Sequence, residues 1–214
     1  MSADLPDRAP RVRRPIVRCR ADAGWIALGA LLLVLSALPV HPHRAPGAER
    51  SVFRAVNDGP TLPFSPVWAV MQLGNIVAVP AAALAALAAR RPRLAGALAL
   101  GGAAAYVLAK VVKQFVERGR PASVLGHVVI RGTPSLGLGF VSGHAGVVTV
   151  LAVVAAPWVS RRWRWAMAVV AALVCTARVY VGAHLPLDVV GGAAVGMIAG
   201  GTSRLIIGRP PPCS

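Results

Sequence analysis

Three short segments of this sequence hold the residues equipped for chemistry. The first reads K-QFVERG-RP and sets Lys113 and Arg120 with six residues between them, followed by Pro121. The second is Ser142-Gly143-His144, within Phe140 to Ala145, and the third reads AR-VYVGA-H-LPL-D, carrying Arg178, His184 and Asp188. Brought together, three cations, two imidazoles and one carboxylate could bind an anion and move protons around it. Taken singly, each residue has a simpler reading. Lys113, Arg120 and Arg178 suit snorkelling anchors at a membrane interface, Asp188 suits the N-terminus of a helix opened by Pro186, and Ser142-Gly143 suits a helix start. A lone histidine at a membrane edge suits a hydrogen-bonded interface residue. For the chemistry to be accidental, all of these readings must hold jointly on one face. His127, His41 and His43 keep the simpler reading, and Lys110, one turn before Lys113, reads as a second snorkelling lysine.

The elements that must position these residues are membrane helices. Of 214 residues 56% are hydrophobic and only 14% charged, with a mean hydropathy of +0.65, which does not fit a water-facing surface. A bilayer core of about 30 Å takes about 20 mostly apolar residues per helix. Six stretches approach that length: Ala21 to Val40, Val67 to Ala89, Leu94 to Val116, Phe140 to Val159, Trp165 to Val181 and Leu187 to Ile207. Proline and glycine mark the breaks between them. The expected fold is all-α, a polytopic six-transmembrane-helix bundle over residues 21–208, preceded by an Arg-rich segment 1–20 and followed by a short tail 209–214. The longest connections, 41–66 and 117–139, are of the length that commonly carries function.

The charge balance is topological. Twenty-three Lys and Arg against 7 Asp and Glu give +16, yet the arginines sit in short clusters between apolar runs. Aromatic content is 5% and no basic stretch interleaves stacking residues, which excludes nucleic acid as a partner. Arg8 to Arg20, Arg90 to Arg93 and Arg161 to Arg164 fall on alternate connections, as do Arg204 and Arg209. These clusters place both termini in the cytoplasm and both long loops outside. A cleavable signal peptide is the competing reading of the first apolar run, because arginines precede it and small residues follow at Ala45 to Ala48. Cys19, Cys175 and Cys213 are too dispersed for a disulfide framework or a cysteine metal site.

The three segments in this order, Lys113-x6-Arg120-Pro121, Ser142-Gly143-His144 and Arg178-x5-His184-x3-Asp188, resemble the three-part signature of the type 2 phosphatidic acid phosphatase superfamily. Vanadium haloperoxidases and some bacterial acid phosphatases share that signature. The resemblance covers roughly Val67 to Ile207, and the family's six-helix membrane branch matches the span count. Two positions depart from the usual pattern: Val141 stands where the family has proline, and Ala177 where it has serine.

The resemblance implies a metal-independent and cofactor-free phosphatase, and the arginine clusters put its site at the outer membrane face. Phosphoryl transfer spreads charge over three equatorial oxygens, which the protein positions and stabilises. By resemblance Lys113, Arg120 and Arg178 hold the phosphate, with the Ser142 hydroxyl and Gly143 amide as further donors. His184 is the expected nucleophile, giving a phosphohistidine, and Asp188 holds its proton-bearing nitrogen. His144 is expected to protonate the leaving oxygen and later activate water. A site at a membrane surface favours a lipid phosphate: a polyprenyl diphosphate such as undecaprenyl diphosphate, or alternatively phosphatidate or phosphatidylglycerophosphate. The Ala-, Arg- and Val-rich composition suggests a bacterial plasma membrane. A transporter or structural membrane protein is the reading from a different class.

Overall fold

The computed structural model describes residues 16–211, so Arg8, Arg11, Arg13, Arg14 and Cys213 lie outside the described residues. The described chain is helical: α1 (Arg20–Ala37), α2 (Gly47–Asn57), α3 (Phe64–Gln72), α4 (Ala78–Ala88), α5 (Pro92–Phe115), α6 (Pro121–Val124), α7 (Gly143–Ala155, extended by a 3-10 turn to Trp158), α8 (Arg161–Tyr180) and α9 (Pro186–Ile207). Proline opens α5, α6 and α9, where its missing N–H costs no helix hydrogen bond. α1, α5 and α9 are long and apolar enough to cross a membrane, and the helices 78–88 and 143–158 are shorter apolar ones. Leu31, Leu35, Leu84, Val107 and Leu173 point outward from the bundle, the arrangement expected of a surface facing lipid rather than water.

α9 is the central helix, packed by α1, α5 and α7. Its glycines allow this. A Cβ at Gly192 would lie 2.3 Å from the carbonyl oxygen of Ser142, and one at Gly196 would lie 2.6 Å from that of Gly146. The α7 backbone therefore rests directly on α9, a close approach of the kind small residues permit between membrane helices. Around this contact Leu98, Ala105, Phe140, Val150, Val154 and Val195 form the main apolar core.

Two expectations from hydropathy need correction. The apolar run Val67 to Ala89 is not one helix but α3 and α4, interrupted between Leu73 and Val77. At the break the backbone amides of Leu73, Gly74 and Asn75 bond three residues back, the Asn75 side chain accepts the Val77 amide at 3.1 Å, and Gly74 lets the His144 carbonyl oxygen approach to where a Cβ would be 2.8 Å away. The connection 41–66, read as a loop, contains α2, whose buried residues Glu49, Phe53 and Asn57 recur every four positions along one face. At the end of the bundle away from the three chemical segments, buried Asp22 meets Arg204 at 3.4 Å and Arg209 at 3.1 Å. At another connection Arg91 donates to the Trp158 carbonyl at 3.2 Å, joining the α4–α5 and α7–α8 connections.

Candidate active site

The three segments meet because four helices bring one end each to the same place. Lys113 lies in the last turn of α5, Ser142 to His144 open α7, Arg178 lies in the last turn of α8, and Asp188 lies in the first turn of α9. Between α8 and α9 the chain reverses through Gly182, whose φ of +75° favours glycine. The amides of Ala183 and His184 then both donate to the Arg178 carbonyl, at 3.1 and 3.2 Å. This turn fixes His184 relative to Arg178 through the backbone alone.

His184 is 2% exposed and sits between a donor and an acceptor. Arg120 Nη1 lies 2.8 Å from its Nε2, and Asp188 Oδ2 lies 3.5 Å from its Nδ1. The same Nη1 also lies 3.4 Å from Nδ1; because a guanidinium can only donate and its shorter contact is to Nε2, the tautomer that matches both neighbours has its lone pair on Nε2 and its proton on Nδ1, facing the carboxylate. Burial first, and then the positive charges of Arg120, Arg178 and Lys113 together with His144, push the His184 pKa well below its usual value. These surroundings favour the neutral imidazole.

Asp188 stands where both readings considered for it require. Its Oδ2 caps α9 by accepting the Leu185 amide at 2.9 Å, and the same oxygen faces His184. Ser142 opens α7, yet its hydroxyl makes no capping bond and is buried without a protein partner. Its amide donates to the Asp188 carbonyl at 2.7 Å, which ties the start of α7 to the start of α9. Val141 is fully buried and packs on Gly191 in that same junction. Gly143 is exposed in the first turn of α7, where amides have no intrahelical acceptor.

The cations are held individually. Lys113 Nζ donates to the Leu138 carbonyl at 2.9 Å and lies 3.4 Å from that of Gly139. Arg120 Nη1 also donates to the Ala183 carbonyl at 2.9 Å. Arg178 reaches Ser135 Oγ at 3.4 Å. The Nε atoms of Arg120 and Arg178 are buried without a protein partner. A cavity of about 350 Å³ opens beside Arg120, between residues 133–137 and the Val181–Ala183 turn. His144, half-buried, lines a second cavity of about 200 Å³ with Asn75, Tyr106 and Ala109. His127 and Lys110 are exposed, and Lys110 stacks its ammonium 4.7 Å from the Tyr106 ring centre.

With this geometry in place, sequence comparison supplies the family: residues 94–210, more than half of the chain, match the PAP2 superfamily. The chain belongs to the PAP2 superfamily. A relative from Sulfolobus acidocaldarius described as an undecaprenyl-diphosphatase is 31% identical over 119 residues, spanning 55% of this chain and 57% of that protein. The chain thus matches little more than half the length of this curated relative. Among solved structures, Aquifex aeolicus LpxE superposes with a TM-score of 0.69 at 25% identity, over 77% of this chain and 98% of that one. A transmembrane PAP2-type phosphatidylglycerolphosphate phosphatase from Bacillus subtilis superposes with a TM-score of 0.61 at 20% identity, over 87% of this chain and 95% of that one. This chain, helical in its described residues, shares its fold with both solved structures.

Two residues of this candidate site escape a reading of spacing. Arg118 is fully buried, and its Nη1 donates to Asp188 Oδ1 at 3.0 Å and to Glu49 Oε1 at 3.0 Å, while Nη2 pairs with Glu49 Oε2. Arg118 lies in plain view between Lys113 and Arg120, but nothing in its spacing separates it from a surface arginine. Glu49 comes from a distant connection, and its one signal is the four-residue recurrence with Phe53 and Asn57.

Proposed function

We propose that this protein is an integral membrane, metal-independent phosphohydrolase that removes phosphate from a lipid through a phosphohistidine at His184. One observation carries the reading. Of the six buried side-chain atoms without protein partners among the described residues, Arg120 Nε, Arg178 Nε and Ser142 Oγ are donors held one on each of the three segments that converge on His184. Leaving buried donors unpaired is costly, and the oxygens of a phosphoryl group are the acceptors that three such donors match.

The steps follow from the placement of the side chains. Arg120 turns its Nη1 from His184 Nε2 to a phosphoryl oxygen, freeing the lone pair that attacks phosphorus. The bond from phosphorus to the leaving oxygen breaks, an ester oxygen in a monophosphate or the bridging oxygen in a diphosphate, and His144 gives that oxygen its proton. The phosphorylated ring, still protonated at Nδ1, is cationic, and Asp188 balances it. Water then attacks phosphorus, His144 takes its proton, and the P–N bond breaks to release phosphate and free His184. Lys113, Arg120 and Arg178 supply the positive charge throughout.

A lipid substrate is supported by the surroundings of His144. Its cavity meets, at Asn75, an apolar groove of about 760 Å³ bounded by Leu98, Leu151, Trp163 and Met167. The hydrocarbon chain of the leaving group would lie there. The undecaprenyl-diphosphatase relative supports a polyprenyl diphosphate as the preferred substrate. We read six spans, with α3 and α4 together forming the interrupted second one, over the 21–208 domain. The arginine clusters support cytoplasmic termini and an outward-facing site in the plasma membrane of a bacterium. The test is phosphate release by detergent-purified protein from undecaprenyl diphosphate, phosphatidate and phosphatidylglycerophosphate with excess chelator. Release from the diphosphate above the other two is expected. No release from any, or release only on adding Mg²⁺, overturns the reading.

A further inference from the structure

A dry chain of charge runs from α2 to the nucleophile. Glu49, Arg118 and Asp188 are 6%, 0% and 0% exposed. Besides Arg118, Glu49 Oε1 accepts the Leu187 amide at 2.9 Å, two residues on from the Leu185 amide that Asp188 accepts. The two carboxylates therefore sit side by side at the start of α9 with one guanidinium between them. Although burial works against the charged form, the Arg118 pKa is raised, because Glu49 and Asp188 outweigh it.

Three buried charges are a costly way to hold a helix, since apolar side chains of similar volume commonly hold it as well or better. Their net charge suggests another purpose. Arg118 with Asp188 alone would be neutral, and His184 would face the positive charges of Lys113, Arg120 and Arg178 with nothing to balance the charge its ring gains on bonding to phosphorus. With Glu49 the trio carries one net negative charge, adjacent to Nδ1.

Resting on the phosphohistidine reading above, we propose that Glu49 is a positioning residue of the site, which takes up the charge of Arg118 and so leaves Asp188 anionic and oriented toward His184. α2, set in a connection remote in sequence, is then part of the catalytic apparatus. Glu49 touches no substrate atom. It acts on the rate of phosphoryl transfer and not on substrate capture.

The test is a double-mutant cycle of Glu49→Gln and Arg118→Gln in the full chain, read by steady-state kcat and KM and by rapid-quench phosphoenzyme formation on the best lipid substrate. Glu49→Gln should lower kcat and the phosphorylation rate about 10- to 100-fold with KM nearly constant, the range seen when a partner of a reacting group is removed. In the Arg118→Gln background it should lower kcat no further, because the residue through which it acts is gone. Thermal unfolding in detergent verifies that each variant is folded. If Glu49→Gln does not fold, Glu49→Asp takes its place, keeping the charge but withdrawing it by one methylene. An unchanged kcat, a rise in KM alone, or the same loss in both backgrounds overturns the proposal while leaving the phosphatase reading intact. A wild-type protein inert on every lipid overturns both.

Discussion

Gly192→Ala is a small change, distant in type from any catalytic residue, that should disable the site. The added Cβ would lie 2.3 Å from the Ser142 carbonyl oxygen and 3.0 Å from Ala145 Cβ. Carbon–oxygen contacts settle at about 3.3–3.6 Å, so one of the two backbones must retreat by about 1 Å. Neither obstacle is the free end of a flexible side chain. α9 is held by α1 and α5 as well as α7, so the retreat falls on the opening of α7, carrying Ser142, Gly143 and His144 away from His184 and Asp188. A misplacement of about 1 Å in a reacting group costs about 100-fold in rate, and overpacking of this kind costs about 1–3 kcal/mol of stability. The assay is kcat for phosphate release from the lipid substrate, with thermal unfolding measured alongside. Gly96→Ala serves as the control, because a Cβ there meets nothing within 4 Å. A folded Gly192→Ala protein with kcat within about threefold of wild type would refute the reasoning, since the site would then not depend on the α7–α9 approach.

Three further outcomes are expected. His184→Ala should be inert on every substrate, whereas His144→Ala should release a burst of aryl alcohol from an activated aryl phosphate and accumulate an acid-labile, base-stable phosphoenzyme, since that leaving group departs without a proton; a burst in His184→Ala would place the nucleophile elsewhere. Cysteines introduced at Ser123 and Arg162, in a chain with Cys19, Cys175 and Cys213 replaced, should label oppositely with an impermeant thiol reagent in intact cells, and labelling at 162 alone would reverse the topology. Because burial and then the charge of Arg120 depress the His184 pKa, the neutral ring persists below its usual range. The acid limb of kcat/KM should therefore lie below about pH 6.5 and move upward in the residual activity of Arg120→Gln; a limb that stays in place would assign it to another group.

The sequence by itself made legible the membrane class, the ends of most helices and the three segments that hold the eight candidate site positions. Hydropathy is a property of composition along the chain, and the spacings of Lys113 to Arg120 and of Arg178 to Asp188 are set by single turns and connections. Local chemistry decides both. The same local reading passed over the interruption at Gly74, because averaging apolarity from Val67 to Ala89 does not register that another backbone presses on one residue. It also passed over α2, whose apolar content is too low to stand out, and over Glu49 and Arg118. Only the tertiary structure decided that an acid at position 49 and an arginine at 118 meet the aspartate at 188. Ion pairs between distant segments leave no periodicity in a sequence: what selects the partner is the shared loss of water when three charges are buried together, and that exists only once the helices have packed.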